Sequence, residues 1–136
     1  IDPAVKPDVI ASLIDVGNIG PFDVVYCSHA LEHLYPHDVP TALSEFHRVL
    51  KPGGTVVILV PDLEGVPATD EVLPDACGIS GLQLYYGSHS EIKDNPYMAH
   101  HCGFVSSTLK DVLTTAGFDA KTQRMSHYQL LGIGTK

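Results

Sequence analysis

Polar side chains that could bind a ligand stand where two apolar segments of this 136-residue sequence end. Ser28 closes the segment Phe22–Ser28 and is followed by His29, and Asp62 comes shortly after the segment Thr55–Val60. Ligands of open α/β sheets bind at the carboxyl ends of parallel strands. If both segments are neighbouring parallel strands, these side chains meet at one edge of a sheet, and a binding site is expected there. For Asp62 the favoured alternative is a cap of the next helix.

A carboxylate and an imidazole, Glu32 and His33, come soon after the first segment. Such a pair suits a general base, because a base must reach the proton of a substrate and titrate near the working pH. The alternative is a structural role, in which these side chains tie the loop to the backbone. The two residue types alone support both interpretations.

Eight histidines raise the question of a metal site. His29 and His33 are four positions apart, as in zinc-binding helices, but no glutamate follows the first of them and the segment is not expected to be fully helical. We therefore expect no metal. The histidines are His29, His33, His37, His47, His89, His100, His101 and His127.

The two apolar segments and the sequence between them predict a strand, a helix and a second strand. Their continuous apolar centres are typical of strands that helices cover on both faces. Apolar residues at spacings of one, three and four predict a helix from Asp38 or Thr41 to Leu50. Lys51–Gly54 then supplies a cation, a proline and two glycines that end it. The spacing is that of a right-handed crossover, so the two strands are expected to be parallel.

The remaining predicted elements complete one domain over residues 1–136. Only Ser126 and His127 separate the last two strands, which forces them to be antiparallel. Long irregular segments of compact domains are more often functional lids than accidents. The elements are a strand at Asp8–Leu13, a short helix at Gly81–Tyr86, an irregular excursion at Ser88–Gly103, a helix from Ser106 or Ser107 to Gly117, and strands at Phe118–Met125 and Tyr128–Thr135.

Composition limits the classes of partner. Sixteen acidic and eight basic residues give a formal charge of −8, and no cluster of Lys and Arg occurs. Nucleic acid is not expected as a partner, because phosphate binding depends on clustered cations. The longest apolar run is far shorter than a membrane span, and nothing resembles a signal peptide. The three cysteines form no CxxC pair, and we expect reduced thiols in a soluble cytoplasmic protein with no membrane partner.

Five short motifs together resemble a class I S-adenosylmethionine-dependent methyltransferase, most closely the small type 11 branch. They are SHALEHL at 28–34, EFHRVLKPGG at 45–54, VPD at 60–62, HHCGF at 100–104 and LTTAGF at 113–118. The resemblance implies a Rossmann-like, doubly wound, mostly parallel α/β sheet with an antiparallel C-terminal strand. It also implies S-adenosylmethionine as cofactor and a small molecule as methyl acceptor.

The resemblance also implies roles for particular residues. Asp2 would neighbour the ribose of the cofactor, and Ser12 and Leu13 would meet its adenine. Ser28 and His29 would lie near its sulfonium. The excursion would form the acceptor wall, with Tyr97, His100 and His101 as substrate contacts. The Leu-Glu-His triplet occurs in relatives with many substrates, which favours the structural role for Glu32 and His33 and leaves catalytic residues unassigned.

The family's first strand and glycine-rich turn, which cradle the methionine end of the cofactor, are not found in this sequence. The sequence begins Ile1-Asp2-Pro3 without Met, so we expect either a piece of a longer product or removal of an upstream segment, with the N-terminal βαβ part missing. Residues 1–136 alone are then expected to bind the cofactor weakly or not at all. The alternative function is a truncated or degenerate methyltransferase-like domain that acts as a binding or scaffold module. A sheet edge left uncovered would promote a homodimer.

Overall fold

Four strands form one mixed sheet in the computed structural model, which describes residues 6–136. The strands are β1 (Phe22–Ser28), β2 (Leu50–Pro61), β3 (Asp119–Met125) and β4 (Gln129–Thr135), in the spatial order β1-β2-β4-β3. β1 and β2 are parallel, whereas β4 is antiparallel to both β2 and β3. The predicted parallel pair and the predicted C-terminal hairpin are both confirmed, and the fold is α/β and Rossmann-like.

The connection between the parallel strands is the predicted helix, α1 (Val39–Val49). Proline at position 40 lies in its first turn, where a missing backbone N–H costs nothing. Lys51–Gly54 was predicted to form the turn that ends this helix. In the structure the helix ends at Val49, and Lys51–Gly54 belong to β2, which begins at Leu50. The pairing shifts register between Phe22 and Val24, so the Pro-Gly-Gly sequence forms an irregularity inside a long strand.

Helices cover one face of the sheet. α1 and α4 (Ser106–Thr115) pack together over the apolar residues of β1, β2 and β4 on that face. β4 presents Gly132 and Gly134 there, and the side chains of Leu109, Leu113 and Phe118 occupy the space that a Cβ would need. The buried strand residues of this core are Cys27, Leu50, Val56, Ile58, Val60 and Leu130.

The opposite face of β1 is exposed, although its continuous apolar sequence predicted helices on both sides. Val24 is 57% and Tyr26 is 66% exposed. β1 lies at the end of the strand order and pairs only with β2 among the described residues. The apolar residues of β1 are therefore not buried on both faces of the strand within the described residues.

The strand predicted at Asp8–Leu13 is wrong. The described part of this segment is irregular, and only a single bridge between Ser12 and Asp15 occurs, across a tight turn. A strand needs a partner for its backbone N–H and C=O groups, and this segment pairs with no strand of the sheet. Apolar residues alone predicted the strand, and Ile10 is in fact 70% exposed.

The segment between β2 and α4 forms a small second layer of structure. The predicted short helix is confirmed as α2 (Gly81–Tyr86), and Ser80 and Gln83 cap it reciprocally. It is followed by α3 (His89–Asp94) and by a single helical turn at Pro96–Met98, so the excursion that was predicted to be irregular is partly helical. A separate apolar cluster supports this layer and consists of Val66, Leu73, Ala76 and Leu84.

The C-terminal helix and hairpin agree with the sequence apart from one cap. α4 is preceded by Val105 rather than by a serine cap, and the Thr108 hydroxyl accepts a hydrogen bond from the Val105 N–H. Gly117 ends the helix with a positive φ of 95°, as predicted. No helix of the described chain is both long and apolar enough to cross a membrane.

Candidate functional site

An open cleft of about 1050 Å³ runs along the outer edge of β1. Residues from both faces of this strand line it, and so do Val49 of α1 and the loop that contains Ser12 and Leu13. Its far wall comes from Asn95, Tyr97 and Met98 of the excursion. The volume lies at the upper end of the range typical of small-molecule sites.

The structure brings five of the predicted site residues to this cleft. They belong to three separate segments, and the pocket places them around one space. They are Ser12, Leu13, Ser28, His29 and Tyr97. Tyr97 is 84% exposed, so its ring has room to move toward a bound molecule.

His100 and His101 do not line the cleft, although they were predicted with Tyr97 as substrate contacts. His101 is exposed and stacks on Tyr35, with ring centroids 4.3 Å apart. His100 is half-buried, and its ring faces His33 instead. Asp2 lies outside the described residues, so its predicted place beside the ribose stays a prediction.

His29 stands at the turn that follows β1. Its φ of 46° is in the left-handed region, which few residues other than glycine adopt, and its N–H donates to the Leu59 carbonyl at 2.8 Å. This turn directs the chain from the end of β1 into the single helical turn Leu31–His33. The carboxylate of Glu32 beside the ring raises the pKa of His29.

Glu32 is the most unusual residue near the cleft. It is 1% exposed, and neither carboxylate oxygen has a hydrogen-bond partner within the described residues. Its Oε1 lies 3.3 Å from Nδ1 of His29, which is close enough for an ion pair but poorly aligned for a hydrogen bond. A buried carboxylate without hydrogen bonds is costly, because burial removes the water that would solvate it.

The backbone around Glu32 does hold the excursion in place. The Glu32 carbonyl accepts hydrogen bonds from the N–H groups of His101 and Cys102, at 2.8 and 3.2 Å. The His33 ring adds a bond from Nδ1 to the Ala99 carbonyl. These contacts agree with a role in tying the loop to the backbone. They leave the side chain of Glu32 unaccounted for.

His33 and His100 face the Glu32 carboxylate. Their ring centroids are 5.0 Å apart in an edge-to-face arrangement. Nδ1 of His33 bonds to the Ala99 carbonyl at 3.1 Å, and Nδ1 of His100 to the Leu84 carbonyl at 2.9 Å. A carbonyl oxygen only accepts, so each Nδ1 carries the proton and each Nε2 keeps its lone pair in the neutral ring. Burial lowers the pKa of His100, which favours that neutral ring.

Cys27 lines the cleft and Cys102 lies near Glu32, but neither is an activated nucleophile. Burial, assisted by the negative charge of Glu32, raises the pKa of Cys27 to about 12 and that of Cys102 to about 11. At neutral pH both are thiols, and the thiolate is the reactive form. Covalent catalysis by either cysteine is therefore not indicated.

Sequence reasoning did not identify Asn95 and Met98 as part of the cleft, or His100 as a neighbour of Glu32. Asn95 caps the helical turn Pro96–Met98 by accepting the Tyr97 N–H, which places this turn against the cleft. The Asn-Pro pair in the sequence is a turn signal and could have marked this point. No spacing rule could have joined Glu32 to His100, because the fold of the excursion creates that contact.

Comparison with known proteins assigns most of the chain to one family. A family model described as a methyltransferase domain matches residues 4–123. A curated relative, the probable methyltransferase ltbC of Aspergillus luteorubrus, is 56% identical over 34 residues. That stretch covers 24% of this chain and 12% of the length of the relative.

Solved methyltransferases share the fold at low sequence identity. An S-adenosylmethionine-dependent methyltransferase from Mesorhizobium loti has a TM-score of 0.65 at 20% identity, over 98% of this chain and 73% of that protein. The Burkholderia thailandensis 1,6-didemethyltoxoflavin-N1-methyltransferase, with 1,6-didemethyltoxoflavin and S-adenosylhomocysteine bound, has a TM-score of 0.65 at 18% identity. Human N-acetylserotonin methyltransferase in complex with S-adenosylmethionine has 0.62 at 12% identity.

This chain spans only part of the second and third of these proteins. The matched region covers 94% of this chain but 49% of the Burkholderia protein, and 93% of this chain but 32% of the human protein. The family model, in contrast, matches the chain over most of its length. The parallel β1–β2 pair, the antiparallel C-terminal hairpin and this match lead to one conclusion: the chain belongs to the methyltransferase-domain family, whose cofactor is S-adenosylmethionine.

Proposed function

We propose that this chain contributes to S-adenosylmethionine-dependent methyl transfer to a small-molecule acceptor, and that both molecules bind in the cleft along β1. The main support for the proposal is that residues from three separate segments line one cleft. They are Ser12 and Leu13, Ser28 and His29, and Tyr97. The cleft reaches the carboxyl end of a parallel strand, where ligands of open α/β sheets bind.

The lining of the cleft suits the nucleoside part of the cofactor. The walls are mainly apolar, and Ser12, Ser28 and Asn95 add polar groups that could orient a ring or a sugar. No Lys, Arg, Asp or Glu is among the described lining residues. The charged amino-acid end of the cofactor therefore has no ionic partner there, which supports weak binding by residues 1–136.

When bound, S-adenosylmethionine supplies a methyl group on a positively charged sulfur: a nucleophilic atom of the acceptor would bond to the methyl carbon while the carbon–sulfur bond breaks and S-adenosylhomocysteine leaves. The task of the chain is then to align the acceptor and to exclude water, because positioning accounts for much of the rate of such reactions. His29 and Tyr97 lie on different walls of the cleft and are the residues we assign to acceptor alignment. No catalytic acid or base is assigned.

A small acceptor is supported by two observations. The formal charge of −8 disfavours nucleic acid, whose phosphates need cationic surfaces. Two of the structural neighbours are named for small acceptors, 1,6-didemethyltoxoflavin and N-acetylserotonin. The type 11 branch and a cytoplasmic location stay predictions from the sequence.

Calorimetric titration with S-adenosylhomocysteine at millimolar concentration tests this proposal. We expect weak but saturable binding by the wild-type chain and at least tenfold weaker binding by Ser28→Trp, which fills the cleft. Ser44→Trp, on the exposed face of α1, is the matched control and should bind like the wild type. Equal affinities of wild type and Ser28→Trp would contradict the cleft assignment.

A second candidate function is a methyltransferase-like module that binds or scaffolds without catalysis. Two observations on the described residues favour it: no Lys, Arg, Asp or Glu lines the cleft, and the outer edge of β1 is unpaired. This candidate predicts that the wild-type chain gives no heat with S-adenosylhomocysteine at any accessible concentration. Saturable binding that Ser28→Trp abolishes would instead support the enzyme proposal.

A further inference from the structure

The strongest unexplained feature of the molecule is the buried group formed by Glu32, His33 and His100. Each residue offers one ligand atom, and these atoms all lie within 4.8 Å of one another. Glu32 is 1% exposed, and its carboxylate oxygens have no hydrogen-bond partner within the described chain. We infer that Glu32, His33 and His100 form a binding site for a divalent transition-metal ion.

The hydrogen bonds of the two imidazoles are those of metal ligands. Histidines that bind a metal almost always donate their second ring N–H to a carbonyl or carboxylate, which fixes the tautomer and the ring orientation. His33 does so to the Ala99 carbonyl and His100 to the Leu84 carbonyl. In each ring Nε2 then keeps the lone pair that a metal requires.

The orphaned carboxylate provides the second, independent observation. A buried carboxylate normally receives hydrogen bonds or pairs with a cation, and Glu32 lacks the former among the described residues. His29 stands 3.3 Å away but is poorly aligned for a hydrogen bond. A metal ion between Glu32 and the two rings would coordinate the carboxylate, whose oxygens accept no hydrogen bond within the described residues.

The dimensions permit such an ion after rotation of the three side chains. Zinc lies about 2.0–2.2 Å from nitrogen and oxygen ligands, so two ligands of one tetrahedral ion are about 3.3–3.6 Å apart. Ligand atoms that lie within 4.8 Å of one another must therefore approach by up to about 1.5 Å. Because His33 also lines the cleft, the site lies between the cleft and the excursion.

The donor set indicates the class of ion. Two imidazoles and one carboxylate suit Zn²⁺, Mn²⁺, Fe²⁺ or Co²⁺, whereas Mg²⁺ and Ca²⁺ prefer oxygen ligands. Three protein ligands leave a coordination position for water or for an oxygen of another molecule. The site is thus of the open kind, and binding of the ion requires neither the cofactor nor the methyl acceptor.

Titration of the tag-free chain with Zn²⁺, Mn²⁺ and Co²⁺ tests the inference, with Mg²⁺ as the contrasting ion. We expect saturable binding of one equivalent of at least one of the three transition-metal ions, and Mg²⁺ at least tenfold weaker. Glu32→Gln and His100→Phe should each weaken binding at least tenfold. His89→Gln, an exposed histidine of α3, should bind like the wild type.

Visible absorption of the Co²⁺ complex reports coordination of the ion by the chain. Circular dichroism of each variant shows whether the variant is folded. If a variant fails to fold, nuclear magnetic resonance of the histidine rings in the wild-type chain serves as the test instead. The ring resonances of His33 and His100 should shift on addition of Zn²⁺, and that of His89 should not. The inference is overturned if none of the three ions binds the wild type, or if folded Glu32→Gln and His100→Phe bind as tightly as the wild type.

Discussion

At the scale of single residues, the three cysteines differ in a way that can be measured directly. Cys77 is exposed, whereas burial raises the pKa of Cys27 to about 12 and that of Cys102 to about 11. At pH 8 we expect a thiol reagent such as Ellman's reagent to modify only Cys77 rapidly, and the other two only after denaturation. Cys77→Ser should remove the rapid phase. Rapid labelling of Cys27 in the folded chain would contradict its buried position.

His47 gives a prediction for the dependence of stability on pH. Its ring packs edge-to-face on Phe118, and burial together with the charge of Lys136 lowers its pKa. The folded chain therefore takes up a proton at His47 less readily than the unfolded chain does. The stabilising contribution is complete above about pH 6.5, the ordinary value, and is lost as the pH falls through the lowered folded-state pKa.

Urea unfolding between pH 7.5 and pH 5 measures this effect. We expect the free energy of unfolding of the wild-type chain to fall over this range. His47→Gln should reduce that fall without removing it, because burial lowers the pKa of His100 in the same direction. An unchanged pH dependence in His47→Gln would show that His47 makes no such contribution.

At the scale of elements, the close approach of β4 to its covering layer depends on glycine. A Cβ at Gly134 would lie 2.8 Å from Cβ of Phe118 and 3.0 Å from Cγ1 of Val56. Gly134→Ala should therefore lower the free energy of unfolding by about 1–3 kcal/mol, the usual cost of overpacking. Thr135→Ala, at the exposed neighbouring position, should change it by less than about 0.5 kcal/mol. A neutral or stabilised Gly134→Ala variant would contradict the packing described.

Sequence patterns predicted the elements whose signals are local. The apolar stripe of α1 and the two-residue junction before β4 are of this kind, and both elements formed as expected. The strand predicted at Asp8–Leu13 failed because a strand requires a neighbour, which composition does not reveal. The prediction that helices cover both faces of β1 was wrong for the same reason, since burial of Val24 and Tyr26 depends on which elements lie beside them.

In the candidate site, too, residues placed by local signals were predicted, and contacts that depend on the tertiary fold were not. Ser28 and His29 were identified because residues at the ends of parallel strands lie at a predictable place. The contact of His100 with Glu32 and His33 depends on how the excursion folds back over the end of β1, through the bonds from His101 and Cys102 to the Glu32 carbonyl. No local pattern in the sequence contains that information.

At the scale of the whole molecule, we expect the outer edge of β1 to be a site for association. It presents unpaired backbone groups within the described chain, and Phe22, Val24 and Tyr26 are exposed beside it. Unpaired strand edges promote pairing with other strands. In the absence of ligand we expect a homodimer through this edge, measured by sedimentation at about 100 μM, and a monomer for Val24→Lys. Because Phe22, Val24 and Tyr26 also line the cleft, saturating S-adenosylhomocysteine should shift the wild-type chain toward monomer. Thr115→Lys, exposed at the end of α4, should remain dimeric. A monomeric wild type would contradict this expectation.

We propose that the cofactor of this family binds in the cleft at the carboxyl end of β1. Nuclear magnetic resonance of the ¹⁵N-labelled 14.6 kDa chain tests this binding mode, because amide shifts report weak binding residue by residue. Addition of S-adenosylhomocysteine should shift the amides of Leu13, Ser28 and His29 and leave those of the β3–β4 hairpin unchanged. Shifts confined to the hairpin, or none at saturating ligand, would contradict the account.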